Sequence, residues 1–420
     1  RRDLRLKDNK GLHMALKSGL PVLPLFIFDK YILSKLGNKS DRRVQFIHDC
    51  LVKLNEELDV FDSSLLIKHN TPVKAWKELF KEYNINSVFT NNDYEPYAID
   101  RDNSIEKLAN KNNASFNSFK DQVIFEKDDV LKDDGTPYTV FTPYSRKWKS
   151  LFQKTMIKPY STADGHFTKK KFRMPSMKEI GFKEMHLNWP PMAASKSILQ
   201  NYKAQRDFPG INGTTKLSVH LRFGTISTRK CYEYAIKHSD TWMNELIWRE
   251  FYKMILWHFP QVVKEEFKSK YADIQWNNNE SEFKAWCNGT TGYPMVDAGM
   301  RELNATGFMH NRVRMVVASF LTKHLLIDWR WGETYFAEKL LDFDLSANNG
   351  GWQWAAGTGS DAAPYFRIFN PESQMKKFDK DLKYIKHWVP EYGTDKYPEP
   401  IVDHRFARER CLSTYKAALS

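Results

Sequence analysis

The spacing of apolar residues changes once along the chain, and this change limits the fold more than any other feature. Up to residue 125, short apolar runs of the strand type alternate with amphipathic patterns of the helix type. The runs occupy residues 21–28, 64–67 and 87–90, and the helical patterns occupy residues 44–58, 73–83 and 99–108. Strand–helix–strand alternation requires parallel strands joined by right-handed crossovers. We therefore predict an α/β domain at residues 1–125, with an open, Rossmann-like parallel sheet.

The rest of the chain does not alternate in this way. Residues 126–192 show little periodicity, and nine basic residues but only one acidic residue lie from position 146 to position 173. Two interpretations are open, a solvated connector or a basic strap that follows a phosphate backbone. Residues 193–420 are mostly helical, with clear patterns at 242–258, 295–303, 311–326 and 333–341. A larger all-α domain is predicted there.

Composition excludes several classes of protein. Hydrophobic residues make up 41% and aromatic residues 14% of the chain, which is too much for a disordered protein. No run approaches the ~20 apolar residues of a membrane span, and the charged first residues do not fit an export signal. Four well-separated cysteines without a CxxC pair favour a reducing cytoplasm. The formal net charge, 64 − 51 = +13, favours a polyanionic partner such as nucleic acid.

Common catalytic and metal motifs are missing from the sequence. It has no GxGxxG or GxxxxGK[ST] loop after a strand, no HExxH and no GxSxG. No metal site is therefore expected. The tryptophans are unevenly placed, since ten of the thirteen lie between positions 242 and 388. This distribution indicates that the helical part has a different function from the α/β part.

Two segments have both a structural and a functional interpretation. In residues 213–218 (GTTKLS), a turn brings hydroxyl groups and an ammonium group before an apolar run. They either cap a helix or hold a pyrophosphate. Glu245, Trp248, Arg249 and Tyr252 share one side of the predicted helix 242–258. That side is either a surface with a Glu245–Arg249 ion pair or a pocket wall that stacks on a planar ring.

Two further segments combine polar groups that a core does not favour. Asn311, Arg312 and Met315 share one side of a helix and suit contact with bases or phosphates. Residues 342–354 (DFDLSANNGGWQW) place two carboxylates, amides and two tryptophans around a glycine pair. Such groups are costly to bury without partners, and glycine permits close approach of a ligand. We expect a ligand site at 342–354.

Several of these segments together resemble the photolyase/cryptochrome family, and specifically its bacterial class I cyclobutane pyrimidine dimer photolyases. They are residues 1–9 (RRDLRLKDN), 213–218, 244–251, 309–315, 342–354 and 358–367 (TGSDAAPYFR). The resemblance covers nearly the whole chain. It implies an α/β domain (1–125), a connector (126–192) and a helical domain that binds FAD and DNA (193–420). It also implies light-driven repair of UV-damaged DNA by a cytoplasmic monomer with no membrane partner.

The resemblance assigns residues to bent, U-shaped FAD. The phosphates and ribityl chain would be lined by Tyr202, Thr214, Thr215, Lys216, Leu217, Ser218, Trp242 and Arg249. Asp342, Phe343 and Asp344 would contact the cofactor near the isoalloxazine and adenine rings, and Asn348 would face flavin N5. A neutral amide at N5 can bond to the reduced ring without imposing a charge.

The resemblance also assigns residues to the lesion, which is flipped out of the duplex. Stacking walls would be Trp248 and Trp354, with Met315 at the other edge. Glu245 would hydrogen-bond the pyrimidine, while Asn311, Arg312, Arg249 and Arg206 would contact the lesion or its phosphates. In the implied reaction one electron passes from excited reduced FAD to the dimer, the cyclobutane ring splits, and the electron returns. Trp352, Trp329 and Trp276 match the family's electron-carrying tryptophans.

Two departures from the family pattern lead to expectations of their own. The family has a first strand immediately before the Arg-Arg-Asp motif, at which this sequence starts. Either residues were not included or the sheet lacks its central strand. Folate-binding members have an Asn-Glu pair where this chain has Tyr97-Ala98. A folate antenna is therefore not expected, and a deazaflavin, another flavin or no antenna stays open.

Three rival functions differ in what they require. A cryptochrome-type blue-light receptor has the same fold and FAD, but Asn348, Glu245, Met315 and Trp354 together favour repair. A (6-4) photoproduct enzyme has an extra active-site histidine that residues 309–315 lack. A DNA-binding protein without enzymatic activity would use the basic charge alone and would be colourless.

Overall fold

The chain forms two compact units in a computed structural model that describes residues 2–163 and 165–419. The first unit comprises Arg1–Glu126, Phe152–Ala193 and Lys216–Tyr234. The second unit comprises Lys127–Leu151, Ala194–Thr215 and Ala235–Ser420. Arg1, the first residue of the N-terminal motif, and Asp164, the acidic residue of the basic segment, lie outside the described residues. The three-part division at 125 and 192 stays a prediction.

The first unit has parallel strands, as predicted, arranged as two separate pairs. Its strands are β1 (Leu25–Asp29), β2 (Leu66–Asn70), β3 (Ser87–Asn91) and β4 (Ser115–Phe119). β1 pairs with β2, placing Ile27 opposite Lys68, and β3 pairs with β4, placing Phe89 opposite Asn117. β1 starts later than the predicted run because Pro21 and Pro24 cannot donate to a ladder.

A cavity of about 600 Å³ is lined by residues of both strand pairs. Ile27 of β1 and Val88 of β3 contribute to its wall, with Leu51 and Trp76 from neighbouring helices. Among the described residues, the single open sheet expected from the periodicity is thus divided into two pairs of strands.

The helices of the first unit cover the strands with apolar faces. Three of them correspond to predicted segments. The helix Arg42–Asp59 (α3) begins where Asp41 accepts the Arg43 backbone N–H at 2.8 Å, and the helices Pro72–Glu82 (α4) and Pro96–Lys111 (α5) each begin with proline. The helices are α1 (Lys10–Leu16), α2 (Lys30–Leu33), α3 (Arg42–Asp59), α4 (Pro72–Glu82), α5 (Pro96–Lys111) and α8 (Ser218–Phe223). α9 (Thr228–His238) starts in this unit and ends in the second.

The second unit is predominantly helical. Its helices are α6 (Phe141–Leu151), α7 (Lys196–Gln205), α10 (Asp240–His258), α11 (Glu280–Asn288), α12 (Pro294–Thr306), α13 (Asn311–Ser319), α14 (Trp329–Lys339), α15 (Leu345–Ala356), α16 (Pro371–Phe378), α17 (Lys383–Trp388) and α18 (His404–Ala417). Among the helices of the described chain, none has the length and apolar character to cross a membrane.

One predicted helix is interrupted in the structure. The pattern at 311–326 predicts a continuous helix, but the α-helix ends at Ser319 and a wider π-type turn follows at Phe320–His324. The change places Lys323 and His324 in the core rather than on a solvated face. Lys323 Nζ donates to the Ala356 carbonyl at 2.7 Å, so the wider turn serves to reach the end of α15.

Candidate active site

Helix α15 is buried except for one stripe. Ser346, Asn349, Trp352 and Gln353 point into the core, whereas a stripe on the other side is accessible. The stripe comprises Ala347, Asn348, Gly351 and Trp354. It contains no charged group, and the position where Gly351 would carry a Cβ has no atom within 4 Å. The stripe therefore leaves room for a flat group to approach the backbone.

The position of α15 is fixed by buried amides. Gln353 Nε2 donates to the carbonyls of Val262 at 2.9 Å and Glu265 at 3.0 Å, and Asn349 Nδ2 donates to Val262 O at 2.8 Å. Gln353 Oε1 accepts the Phe267 backbone N–H at 2.8 Å. Each buried polar group of these side chains thus has a partner, and the accessible stripe is held rigidly.

Helix α10 packs against α15 and has a second accessible stripe. It is formed by Glu245, Trp248, Arg249 and Tyr252, as the i, i+3, i+4 spacing predicts. The two helices approach closely at Gly350, where a Cβ would lie 2.2 Å from the Tyr252 ring. Acidic, basic, aromatic and amide groups of the two stripes therefore belong to neighbouring helices.

Glu245 has a partner that the sequence did not predict. The structural interpretation paired it with Arg249, four residues away, but its carboxylate bonds instead to Arg206, the residue that follows α7. Helix packing of α7 on α10 outweighs the weak pairing within one helix. Burial raises the pKa of Glu245 above its usual range, although the Arg206 guanidinium opposes the rise.

Asp207 connects two of the residues predicted to contact DNA. Arg312 donates to the Asp207 carboxylate at 2.8 Å, and Arg206 lies 4.0 Å from the same oxygen. Arg312 also lies 3.9 Å from the sulfur of Met315, and Asn311 is exposed at the start of α13. The structure thus brings Arg206 and Arg312 to one acidic residue, with Met315 and Asn311 on the same helix as Arg312.

Asn348 is oriented by Glu333 on α14. Its Nδ2 donates to Glu333 Oε1 at 2.8 Å and to the Glu333 carbonyl at 3.1 Å. Burial raises the pKa of Glu333, while the bond from Asn348 opposes that rise. Because both N–H bonds of the amide go to Glu333, the side-chain carbonyl is the group that Asn348 presents elsewhere.

The two aspartates before α15 are neutralised by different cations. Arg314 donates to both Asp342 oxygens, at 3.1 and 2.9 Å, and Lys253 lies 2.9 Å from Asp344. Asp344 also caps the helix, since its carboxylate accepts the Ala347 backbone N–H at 3.4 Å. The two carboxylates are therefore paired with cations and do not form a negative patch.

The two predicted stacking walls have aromatic neighbours. The Phe141 ring is stacked on Trp248 with centroids 3.7 Å apart and planes 7° from parallel. The Trp354 ring lies 6.3 Å from Phe369. Both tryptophans are partly exposed, so each retains accessible ring surface.

The predicted phosphate segment does not cap a helix with its hydroxyls. α8 begins at Ser218 with Leu217 in the capping position and without a side-chain cap bond. The capping interpretation is therefore wrong. Lys216 takes a left-handed backbone with φ +52°. Thr214 and Thr215 belong to the second unit, and Lys216, Leu217 and Ser218 to the first.

The other predicted residues lie in the second unit. Tyr202 on α7 and Trp242 on α10 are buried, Arg249 is half-buried on α10, and Phe343 packs against the main core. Trp352 and Trp329 are core residues, and Trp276 is partly buried against the same core. Trp276 lies 6.1 Å from Tyr415, and Trp352 lies 5.0 Å from Phe336.

Comparison with known proteins connects this arrangement to a family. Residues 1–162 match the family model described as DNA photolyase, and residues 242–395 match the FAD binding domain of DNA photolyase. A deoxyribodipyrimidine photo-lyase of Halobacterium salinarum is 36% identical, with 100% of this chain and 98% of that protein covered. The chain belongs to the DNA photolyase family.

Solved photolyase structures have the same fold. A class III photolyase from Agrobacterium tumefaciens aligns with a TM-score of 0.89 at 32% identity, covering 100% of this chain and 96% of that chain. A photolyase from Sulfolobus tokodaii, solved with two FAD molecules, aligns with a TM-score of 0.87 at 35% identity, covering 99% and 98%. The predicted combination of an α/β domain with a larger helical domain is confirmed. The class I assignment stays a prediction.

The residues present fit the FAD of a photolyase. The accessible stripe of α15 is uncharged and open at Gly351, which suits an isoalloxazine ring, and Asn348 projects from it. The flanking carboxylates are already neutralised by Arg314 and Lys253. When bound, FAD supplies one-electron chemistry driven by light, which amino-acid side chains cannot supply.

Sequence reasoning missed the residues that hold this photolyase site in place. They are Asp207, Phe141, Glu333, Arg314 and Lys253. Lys253 had a usable signal, because a lysine on the apolar side of α10 needs a buried partner. The other four act across the fold, and sequence spacing contains no information on such contacts.

Proposed function

We propose that this protein repairs cyclobutane pyrimidine dimers in UV-damaged DNA, using light and reduced FAD. The observation that carries the proposal is the pair of neighbouring stripes on α10 and α15. One stripe offers uncharged surface for a flat ring, and the other offers a carboxylate, a guanidinium group and aromatic rings for the two linked bases flipped out of one strand. The family membership supports the same function.

Glu245 would stabilise the charge that develops on the dimer. Burial raises its pKa, while the Arg206 guanidinium opposes the rise, and the carboxyl group would form a hydrogen bond with the pyrimidine. The Arg206 contact keeps the side chain in one position in either protonation state. Preorganised donors of this kind are most effective where water is excluded.

Trp248 and Trp354 would stack on the flipped bases, and Met315 would fill the remaining edge. Phe141 supports the Trp248 ring from one side, so that the indole is held flat for stacking. Arg312 and Asn311 stand at the exposed beginning of α13, where they are available to the flipped nucleotides and their phosphates.

The test is illumination of the reduced, FAD-loaded protein with an oligonucleotide that contains one thymine dimer. We expect light-dependent restoration of two thymines, measured by chromatography, and no change in the dark. A yellow or blue protein that binds FAD but leaves the dimer intact would instead favour a cryptochrome-type receptor. A colourless protein that binds DNA would favour a DNA-binding role without enzymatic activity.

We further propose a monomer in the cytoplasm that carries a second flavin as antenna. The Sulfolobus tokodaii structure, described as implying a novel light-harvesting cofactor, supports a flavin over a folate. In this chain Tyr97 bonds to Asp29 and stacks on Tyr31 at 5.0 Å, so it cannot replace the Asn-Glu pair of folate binders. Chromophore extraction should yield two flavins per chain, and sedimentation should give one chain per particle.

A further inference from the structure

A row of aromatic side chains leads from Trp352 to the surface of the second unit by way of α11. The Trp286 ring lies 6.0 Å from Trp352, and the Phe283 ring is stacked on Trp286 at 5.7 Å. Phe283 meets Trp331 edge-on at 5.2 Å. Trp286 is fully buried, whereas Trp331 is partly exposed. We call Trp352, Trp286, Phe283 and Trp331 the α11 row.

We propose that the α11 row is a second electron route into the flavin site, with Trp331 as its terminal donor. The inference rests on the proposed function, because it takes Trp352 as the residue that gives an electron to light-excited, oxidised FAD. Trp286 then gives an electron to the oxidised Trp352, and Trp331 gives an electron to the oxidised Trp286 across the Phe283 ring. None of the residues assigned from the sequence, apart from Trp352, belongs to this row.

The electrons and protons of this route balance with a thiol as the reductant in solution. Loss of one electron leaves a Trp331 radical cation, which releases its indole N–H proton to water. The thiol then returns one electron and one proton to Trp331, and two thiyl radicals join as a disulfide. Trp331 is restored, and each cycle delivers one electron through Trp352.

The surroundings of the row favour movement of the positive charge outward. Trp286 Nε1 donates to the Val317 carbonyl at 3.2 Å, and the residue is 0% exposed, so its proton has no route to water. A positive charge in such a place is costly. At the partly exposed Trp331 the charge is solvated and the proton can leave, so the charge is more stable there.

Tyr335 lies beside the row but is not its exit. Its ring is 5.7 Å from Trp286, yet its hydroxyl donates to the Asn304 amide oxygen at 2.7 Å. A neutral amide cannot accept the proton that tyrosine must lose on oxidation. Burial raises the pKa of Tyr335 to about 12, and Lys339 places a cation 5.3 Å from the ring. Both effects oppose a tyrosine radical.

The α11 row would operate in parallel with the route through Trp329 and Trp276. Both Trp329 and Trp331 lie on α14, and only Trp331 belongs to the row. The Arg330 guanidinium lies 4.8 Å from the Trp329 ring and disfavours positive charge there, while Glu266, 2.9 Å from Arg330, offsets this. Because the two routes share only Trp352, closing one should leave the other open.

The experiment compares flavin photoreduction in tryptophan variants of the FAD-loaded protein, with a thiol present. We expect Trp276→Phe to slow photoreduction by about two- to fivefold, and Trp276→Phe with Trp331→Phe to slow it by at least about tenfold more. Time-resolved electron paramagnetic resonance should show a tryptophan radical in the single variant and a greatly weakened one in the double variant.

Trp388, another partly buried tryptophan against the same core, provides the matched control. Trp276→Phe with Trp388→Phe should behave like Trp276→Phe alone. Equal rates in the Trp276/Trp331 double variant and the Trp276 single variant, with FAD content and thermal unfolding unchanged, would overturn the second route and leave the repair function intact. Undiminished photoreduction in Trp352→Phe would overturn the role of Trp352 on which the inference rests.

Discussion

Glu245 has to satisfy two requirements that usually exclude each other. It must be buried enough to act in a dry pocket, and it must not be left without a partner before DNA arrives. The contact with Arg206 meets the second requirement, and the half-buried position on α10 meets the first. A side chain of this kind is a candidate for chemistry rather than for stability.

Replacing Glu245 should separate repair from cofactor binding. A hydrogen bond that involves a charged group contributes about 1.5–3 kcal/mol, so Glu245→Ala should lower repair per absorbed photon by roughly 10- to 100-fold. Glu245→Gln retains a donor and should keep part of the activity. FAD content should be unchanged in both. Loss of FAD from Glu245→Ala would contradict this assignment and mark the residue as structural.

Lys323 makes stability depend on pH. It is 1% exposed, donates to Ala356 O, and lies 3.7 Å from the Tyr415 ring. Burial lowers its pKa to about 7. Between pH 7 and its unfolded pKa the unfolded chain binds more protons than the folded one, so this group makes stability rise with pH.

Lys323→Met should remove that dependence. From pH 7 to pH 9 the free energy of unfolding of the wild type should rise by about 2 kcal/mol more than that of the variant. Urea unfolding at the two pH values measures the difference. Lys380→Met, a change at an exposed lysine, should retain the wild-type slope. An identical slope in Lys323→Met would show that the buried ammonium does not titrate in this range.

At the scale of elements, two adjacent glycines of α15 have opposite surroundings, one crowded and one open. Gly350 permits the close contact with Tyr252, whereas Gly351 lies open on the accessible stripe. Gly350→Ala should therefore destabilise the flavin-free protein by about 1–3 kcal/mol. Gly351→Ala should stabilise it by about 0.5–1 kcal/mol, because alanine is the better helix former.

Gly351→Ala should nevertheless weaken FAD binding. A methyl group on the stripe would occupy space at the proposed ring seat, with an expected loss of roughly 5- to 100-fold in affinity. Flavin fluorescence titration of the apoprotein measures this loss, and calorimetry measures the stability. Unchanged FAD affinity in Gly351→Ala would contradict the proposal that the flavin ring lies on this stripe.

The elements differ in how far the sequence predicts them. Helices α3 and α4 follow the apolar period closely, because each buries one face. Strand β4, with the sequence SFNSF, was missed because serine and asparagine replace the apolar residues of a typical strand. The partners of Glu245 and Asn348 were also unpredictable, since helix packing and not sequence spacing selects Arg206 and Glu333.

For the whole molecule, the net charge and the tryptophans should make different contributions to DNA binding. The +13 charge attracts any polyanion and selects no chemistry. The tryptophans after residue 240 supply core packing, and we propose that they also supply the stacking walls and the electron routes. Affinity for DNA should thus come mainly from charge, and preference for the lesion mainly from Trp248 and Trp354.

This division predicts how salt and stacking affect binding. Raising the salt concentration should weaken binding to damaged and intact duplexes by similar factors, because binding releases a similar number of counterions from each duplex. Trp354→Ala should reduce the preference for damaged DNA by roughly 10-fold, since stacking on a base contributes about 1–3 kcal/mol. It should leave the slope of log affinity against log salt unchanged, because no phosphate contact is removed. Fluorescence anisotropy over a salt series, with one dimer-containing duplex and its intact counterpart, yields both quantities. If the preference for damaged over intact DNA disappeared as the salt concentration rose, lesion recognition would depend on the protein's charge and not on stacking by Trp248 and Trp354.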